Sequence, residues 1–160
     1  MTYTIKGLPR ARFAPLFELS DAELAAHNAR RVIADADRGF PCRVSLEDAT
    51  AGEALLLLNF VSNDGHTPYR TAHAIYVREG ARDADVLIGE TPPVFAGRPL
   101  SLRGFSAAGD LVAARLAGPD EHDRVIREML DDPRVDHIDA HNAAHGCFSA
   151  RIDRYMEAAQ

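Results

Sequence analysis

The chain has 160 residues, of which 46% are hydrophobic and 26% charged, with a formal net charge of −6. This is the size and balance of one globular domain, residues 1–160, which excludes a disordered or fibrous chain, and an acidic chain with no basic stripe excludes nonspecific nucleic-acid binding. The longest apolar run, residues 54–58, is far short of the ~20 residues that cross a bilayer, the N-terminus lacks a basic-then-apolar leader, and two cysteines are too few for a disulfide framework, so a cytoplasmic protein with free thiols is expected.

Residues 2–6 alternate around Tyr3 and Ile5 and predict a short strand stopped by Gly7 and Pro9. Ser20-Asp-Ala-Glu23 has the spacing of a capping box, so a short helix should follow. Residues 30–34 read as a strand, and residues 42–46, Cys-Arg-Val-Ser-Leu, alternate and read as extended. Residues 54–61, Ala-Leu-Leu-Leu-Leu-Asn-Phe-Val, form a continuous apolar run of strand length. They are expected to be the central strand of the core, buried on both faces.

Residues 72–77 carry Ile75, Tyr76 and Val77 and predict another strand, followed by a long irregular connection over residues 80–93. Residues 100–105 and 111–116 flank Ser106-Ala-Ala-Gly-Asp110, the pattern of a β-hairpin. Pro119 and Asp120 can start a helix, Val125, Ile126, Met129 and Leu130 recur at helical spacing, and Asp131-Asp-Pro133 ends it. Residues 135–140 and 147–152 then read as two strands separated by a turn over residues 141–146. Consecutive strands with two or three helices predict an α+β domain with a mostly antiparallel sheet. No glycine-rich phosphate-binding motif is present.

Chemistry is densest at the C-terminal end, where Asp136, His137, Asp139, His141, His145 and Cys147 fall within twelve residues. In a strand, His137, Asp139 and His141 share one face, a set that could hold a first-row metal. The plainer reading of the same stretch is a strand with its polar residues toward solvent and Cys147-Phe148 in the core. Cys42 beside Arg43 is a second candidate, because a neighbouring guanidinium favours a thiolate. A cysteine nucleophile would also need a histidine base, for which His141 and His145 are the candidates. Tyr69 and Arg70, with His66 and His73 nearby, could recognise a carboxylate or phosphate. The acidic residues Glu47, Asp48 and Glu53 read as solvated turn formers.

Several blocks together resemble a bacterial family known as domain of unknown function 1203: Gly39-Phe-Pro-Cys-Arg-Val-Ser-Leu46, Asp48-Ala49, Gly52-Glu53, Pro68-Tyr-Arg70, Tyr76-Val-Arg-Glu79, His141-Asn-Ala143 and Gly146-Cys-Phe148. The resemblance implies a small single domain and brings no activity, cofactor or catalytic residue with it. This chain has Asp139 where the family often has a histidine, which argues against a three-ligand metal site common to the family.

The leading expectation is a small-molecule or anion-binding domain, with catalysis left open. Its pocket would be lined by Cys42, Arg43, Tyr69, Arg70, His141, Asn142 and Cys147, with Cys42, His141 and Cys147 as the candidate catalytic groups. The alternatives are a noncatalytic homodimeric interaction module that pairs an exposed strand edge, and a metalloprotein built on His137, Asp139 and His141 with Cys147.

Overall fold

The computed structural model describes residues 1–156. Among them are nine strands and three α-helices, and every strand pairing is antiparallel, so the α+β expectation holds. In chain order the elements are β1 (Tyr3–Lys6), α1 (Ala14–Phe17), α2 (Asp21–Ala26), β2 (Ala29–Ile33), β3 (Ala54–Asn63), β4 (Thr71–Arg78), β5 (Leu87–Ile88), β6 (Leu100–Phe105), β7 (Leu111–Ala117), α3 (His122–Leu130), β8 (His137–Asn142) and β9 (Phe148–Arg154). They form a six-stranded sheet of order β5-β1-β9-β8-β6-β7 and a three-stranded sheet of order β2-β3-β4. No helix among the described residues is long and apolar enough to cross a membrane.

Local sequence signals act where they were expected. The Ser20 hydroxyl accepts the Glu23 amide, and the Glu23 carboxylate accepts the Ser20 amide at 2.8 Å, which satisfies two of the bare N–H groups at the start of α2. The β6–β7 turn closes through the Gly109 amide donating to the Ser106 carbonyl at 2.9 Å, with Gly109 at φ +85, a conformation that costs glycine little. On α3 the apolar stripe Val125, Ile126, Met129 and Leu130 is buried and packs on one face of the large sheet.

The largest buried cluster lies between α3 and the six-stranded sheet, where Ile5, Leu100, Leu102, Ile138, Ala140, Ala150 and Ile152 point toward the helix. This corrects the expectation that β3 would be the centre of the core. β3 is the middle strand of the smaller sheet, and its two-sided burial is confined to the Leu55–Leu56 end. Leu55 packs with Ala34 and Ala49 on one side, while Leu56, Leu58 and Phe60 face Ile75, Val77 and Phe148 on the other. Farther along, Asn59 is exposed.

A second correction concerns residues 42–46, which do not form a strand. Pro41 and Cys42 make isolated bridges to Asp48 and Tyr76, and the chain then turns with Leu46 in the left-handed region at φ +56. The segment is held instead by separated backbone bonds: Leu8 to the Arg43 carbonyl, Ala84 to that of Val44 and Val94 to that of Leu46. Alternating hydropathy here reflects a loop tucked between the two sheets, with Cys42, Arg43, Val44 and Leu46 all buried. At the other end of the chain, β8 runs through His141 and Asn142, two residues past its expected end.

Candidate functional site

Alternation along the six-stranded sheet gives its second face a polar character. Ile138 and Ala140 point to the α3 side, so His137, Asp139 and His141 point together to the other side, as the spacing predicted. Cross-strand register adds Ser101 and Arg103 from β6 and Arg151 from β9 to that face. The three-stranded sheet covers part of it, so the expected solvent-facing strand is replaced by a polar seam. Asp139 and His141 are both 0% exposed.

Within the seam the His141 and His73 rings meet edge to face, with centroids 4.8 Å apart, and Phe148 closes on His141 from the side at 5.9 Å. His141 Nδ1 donates to the Gly146 carbonyl at 2.9 Å, leaving Nε2 buried without a partner. Burial pulls the His141 imidazole down to about 4. The Gly146 bond opposes that shift, while the charge of Arg103 and neighbouring His73 add to it. Desolvation, and then Arg103, lowers His73 as well. Both rings are therefore neutral near pH 7.

The metal reading meets a different arrangement of side chains. Asp139 is clamped by Arg151 through bonds of 2.8 and 3.0 Å, His137 turns to Asp136 at 3.0 Å and stacks on Phe105, and His141 serves Gly146. Among the described residues no group of three or more His, Cys, Asp or Glu side chains is gathered so as to hold a metal ion. A cation on this face would have to displace Arg151 from Asp139.

Arg43 brings the two cysteine-bearing blocks together. Its guanidinium crosses from the 41–46 loop to the start of β9, donating from Nε to the Phe148 carbonyl at 2.7 Å and from Nη1 to the Pro41 carbonyl. It is 2% exposed, and it forms no ion pair with a carboxylate among the described residues. Desolvation pulls it down to about 10, while Cys147 and Cys42 lie close enough to act on its charge. Even so it stays protonated at neutral pH. Cys42 is wholly buried and its Sγ accepts the Arg78 amide at 3.4 Å; Cys147 is partly exposed, and its Sγ–H points to the His145 carbonyl at 3.9 Å. Neither thiol is hydrogen-bonded to a histidine ring among the described residues, so no nucleophile–base pair is assembled here.

A cleft of about 290 Å³ opens between the 39–41 segment and the β8–β9 turn, lined by Pro41, Arg98, Pro99, Asn142, Ala144 and His145; Arg43 does not line it, but holds the carbonyl of Pro41, which does. Gly146, at φ +75, lets the turn fold back so that its amide reaches the Asn142 carbonyl at 2.8 Å. The Asn142 Oδ1 is buried with no partner. Asp48, which read as a solvated turn former, instead makes a bidentate pair with Arg98 at 2.7 and 2.9 Å. Burial pushes its carboxyl up, but the Arg98 bonds and charge outweigh this and leave it below its ordinary value. Glu53 likewise pairs with Arg78, at 2.6 Å.

Tyr69 and Arg70 do not join this cleft. They line another, at the β3–β4 turn beside the β6–β7 hairpin, where Arg70 is paired with exposed Asp64 at 2.7 Å. Sequence reasoning missed Arg98, Arg103 and Arg151. Their alternation with buried Leu100, Leu102 and Ile152 shows which way Arg103 and Arg151 point, but not that a second sheet covers that face.

Against known proteins, residues 39–154 match the family described as Protein of unknown function (DUF1203). No curated protein and no solved structure matches the chain.

Proposed function

The chain belongs to the DUF1203 family, whose description assigns no activity, and from the site itself we propose that it is a small-molecule binding domain taking a polar, anionic ligand at the cleft between residues 39–41 and 142–145. The observation that carries this reading is Arg43, a buried guanidinium satisfied only by carbonyls. A buried cation is costly without a counter-charge; Arg43 holds the carbonyl of Pro41, which lines the cleft, so a negative group bound there would offset its charge across Pro41 rather than by direct contact. Asn142 and His145 line the same cleft, where the carboxamide NH₂ and the imidazole are the side-chain groups able to donate to such a ligand.

Binding is the reading the geometry favours over catalysis, because the candidate catalytic residues are each engaged with backbone groups: Cys42 with the Arg78 amide, His141 with the Gly146 carbonyl and Cys147 with the His145 carbonyl. In a cytoplasmic setting, which is part of this proposal, both thiols stay reduced. The test is amide chemical-shift mapping with succinate and inorganic phosphate. Saturable shifts should appear at Phe40, Cys42 and residues 143–147, and Asn142→Ala should weaken them. If neither anion moves these amides at millimolar concentration, the reading fails.

A homodimeric interaction module is a second reading, favoured by the open edges of both sheets. Leu116 on β7 is 75% exposed and Ile33 on β2 is 59% exposed, each on an edge strand. A monomeric mass by light scattering, unchanged with concentration, would dismiss it.

A further inference from the structure

The second cleft, at the opposite end of the seam, has an unbalanced charge of its own. It measures about 270 Å³ and is lined by Tyr69, Arg70, Thr71, Arg103, Phe105 and Leu111. Arg103 stands directly across from Asp139 in the β6–β8 register, yet the Asp139 carboxylate is occupied by Arg151. The single hydrogen bond of Arg103 is a long one, from Nε to Ser101 Oγ at 3.4 Å, so among the described residues both terminal nitrogens lack an acceptor.

The neighbouring charges do not offset it. Arg70 is neutralised by Asp64, Arg151 by Asp139, and the two histidines near Arg103, His73 from the smaller sheet and His141 from the neighbouring β8, are neutral. The rest of the lining includes apolar side chains: Pro68, Leu111, the Tyr69 ring, 45% exposed, and Phe105, of which 3% is exposed. Thr71 Oγ1 is bonded to His73 Nε2 at 3.2 Å, and His73 in turn packs on His141, whose Nε2 is buried without a partner.

The geometry points to a second ligand site, in which Arg103 takes a carboxylate through its two free nitrogens while Tyr69, Phe105 and Leu111 receive a short aromatic or branched apolar body. A guanidinium presents two parallel N–H donors that match a carboxylate, so charge and shape are read together. An apolar wall beside one convergent charge is the usual composition of a small-molecule site.

Benzoate is the probe, with benzyl alcohol as its neutral counterpart and inorganic phosphate as the anion without an apolar body. In the full chain benzoate should give saturable shifts at the amides of Tyr69, Thr71, Arg103 and Leu111, at least about ten-fold tighter than benzyl alcohol. Arg103→Gln should lose about ten-fold or more, and Leu111→Asp, which leaves the arginine in place and puts a carboxylate at the mouth, should also abolish the shifts. Equal binding of benzoate by wild type and Arg103→Gln, or no saturable shift at these amides, would overturn the assignment. Phosphate binding as tightly as benzoate would overturn the ligand class. Shifts confined to residues 143–147 would support the first cleft and reject this one.

Discussion

Acid should destabilise this protein through His141 in particular. Its imidazole is held near 4 in the folded chain, against an ordinary 6.5 that it regains on unfolding. Between those values the unfolded chain binds the extra proton, so stability is fully present above about pH 6.5 and is lost as the pH falls toward 4. A depression of this size, carried down to the folded value, amounts to about 3 kcal/mol. Burial fixes the sign against the opposing Gly146 bond, and the groups facing the ring reinforce it: Arg103 from β6 and His73 from β4 disfavour a positive charge, while the acid that favours one, Asp139, is committed to Arg151. His141→Asn keeps a donor for the Gly146 carbonyl and removes the titration. Urea unfolding of wild type and variant at about pH 7 and about pH 4 isolates the effect, because His73 and the carboxylates contribute to both proteins alike. Wild type should lose about 3 kcal/mol more than the variant over that interval. Equal losses would refute the burial argument for His141, as would an imidazole resonance titrating near 6.5 in the folded protein.

Asp139→Asn leaves the Arg151 charge without its partner; because the Arg151 side chain is 40% exposed, the cost should be about 2–3 kcal/mol, below that of a fully buried pair. A fall in Tm of roughly 4–10 °C by calorimetry is expected, and an unchanged Tm would count against the clamp. Gly7→Ala puts a Cβ 1.9 Å from the Val44 carbonyl oxygen, where the Leu8–Arg43 bond of 2.7 Å holds the two backbones together, so it should cost about 3 kcal/mol or more. Gly80→Ala, with open space around it, is the matching control and should change little on denaturant unfolding. Ser20→Ala removes the cap of α2 and should cost about 1 kcal/mol by the same assay, with no effect on ligand-induced shifts at either cleft.

Elements governed by near neighbours could be read from the residues. The capping box of α2, the apolar stripe of α3 and the Gly109 turn of the hairpin each depend on groups within a few positions, so their sequence patterns carry the physics. The 41–46 loop could not be read this way. Its alternation is that of a strand, but it lies between two sheets, fixed by Leu8, Ala84 and Val94, residues remote from it in the chain.

The candidate residues show the same division. Sequence determined that His137, Asp139 and His141 share a face, since a strand alternates whatever lies around it, and that the Cys42-Arg43 and His141–Cys147 blocks are chemically dense. Only the tertiary structure decided that the smaller sheet covers that polar face, that Arg151 rather than a metal ion takes Asp139, that Arg43 links the two cysteine blocks, and that Tyr69 and Arg70 belong to a different cleft beside Arg103. Burial and charge balance come from contacts between strands far apart in the sequence, and local spacing holds no record of them.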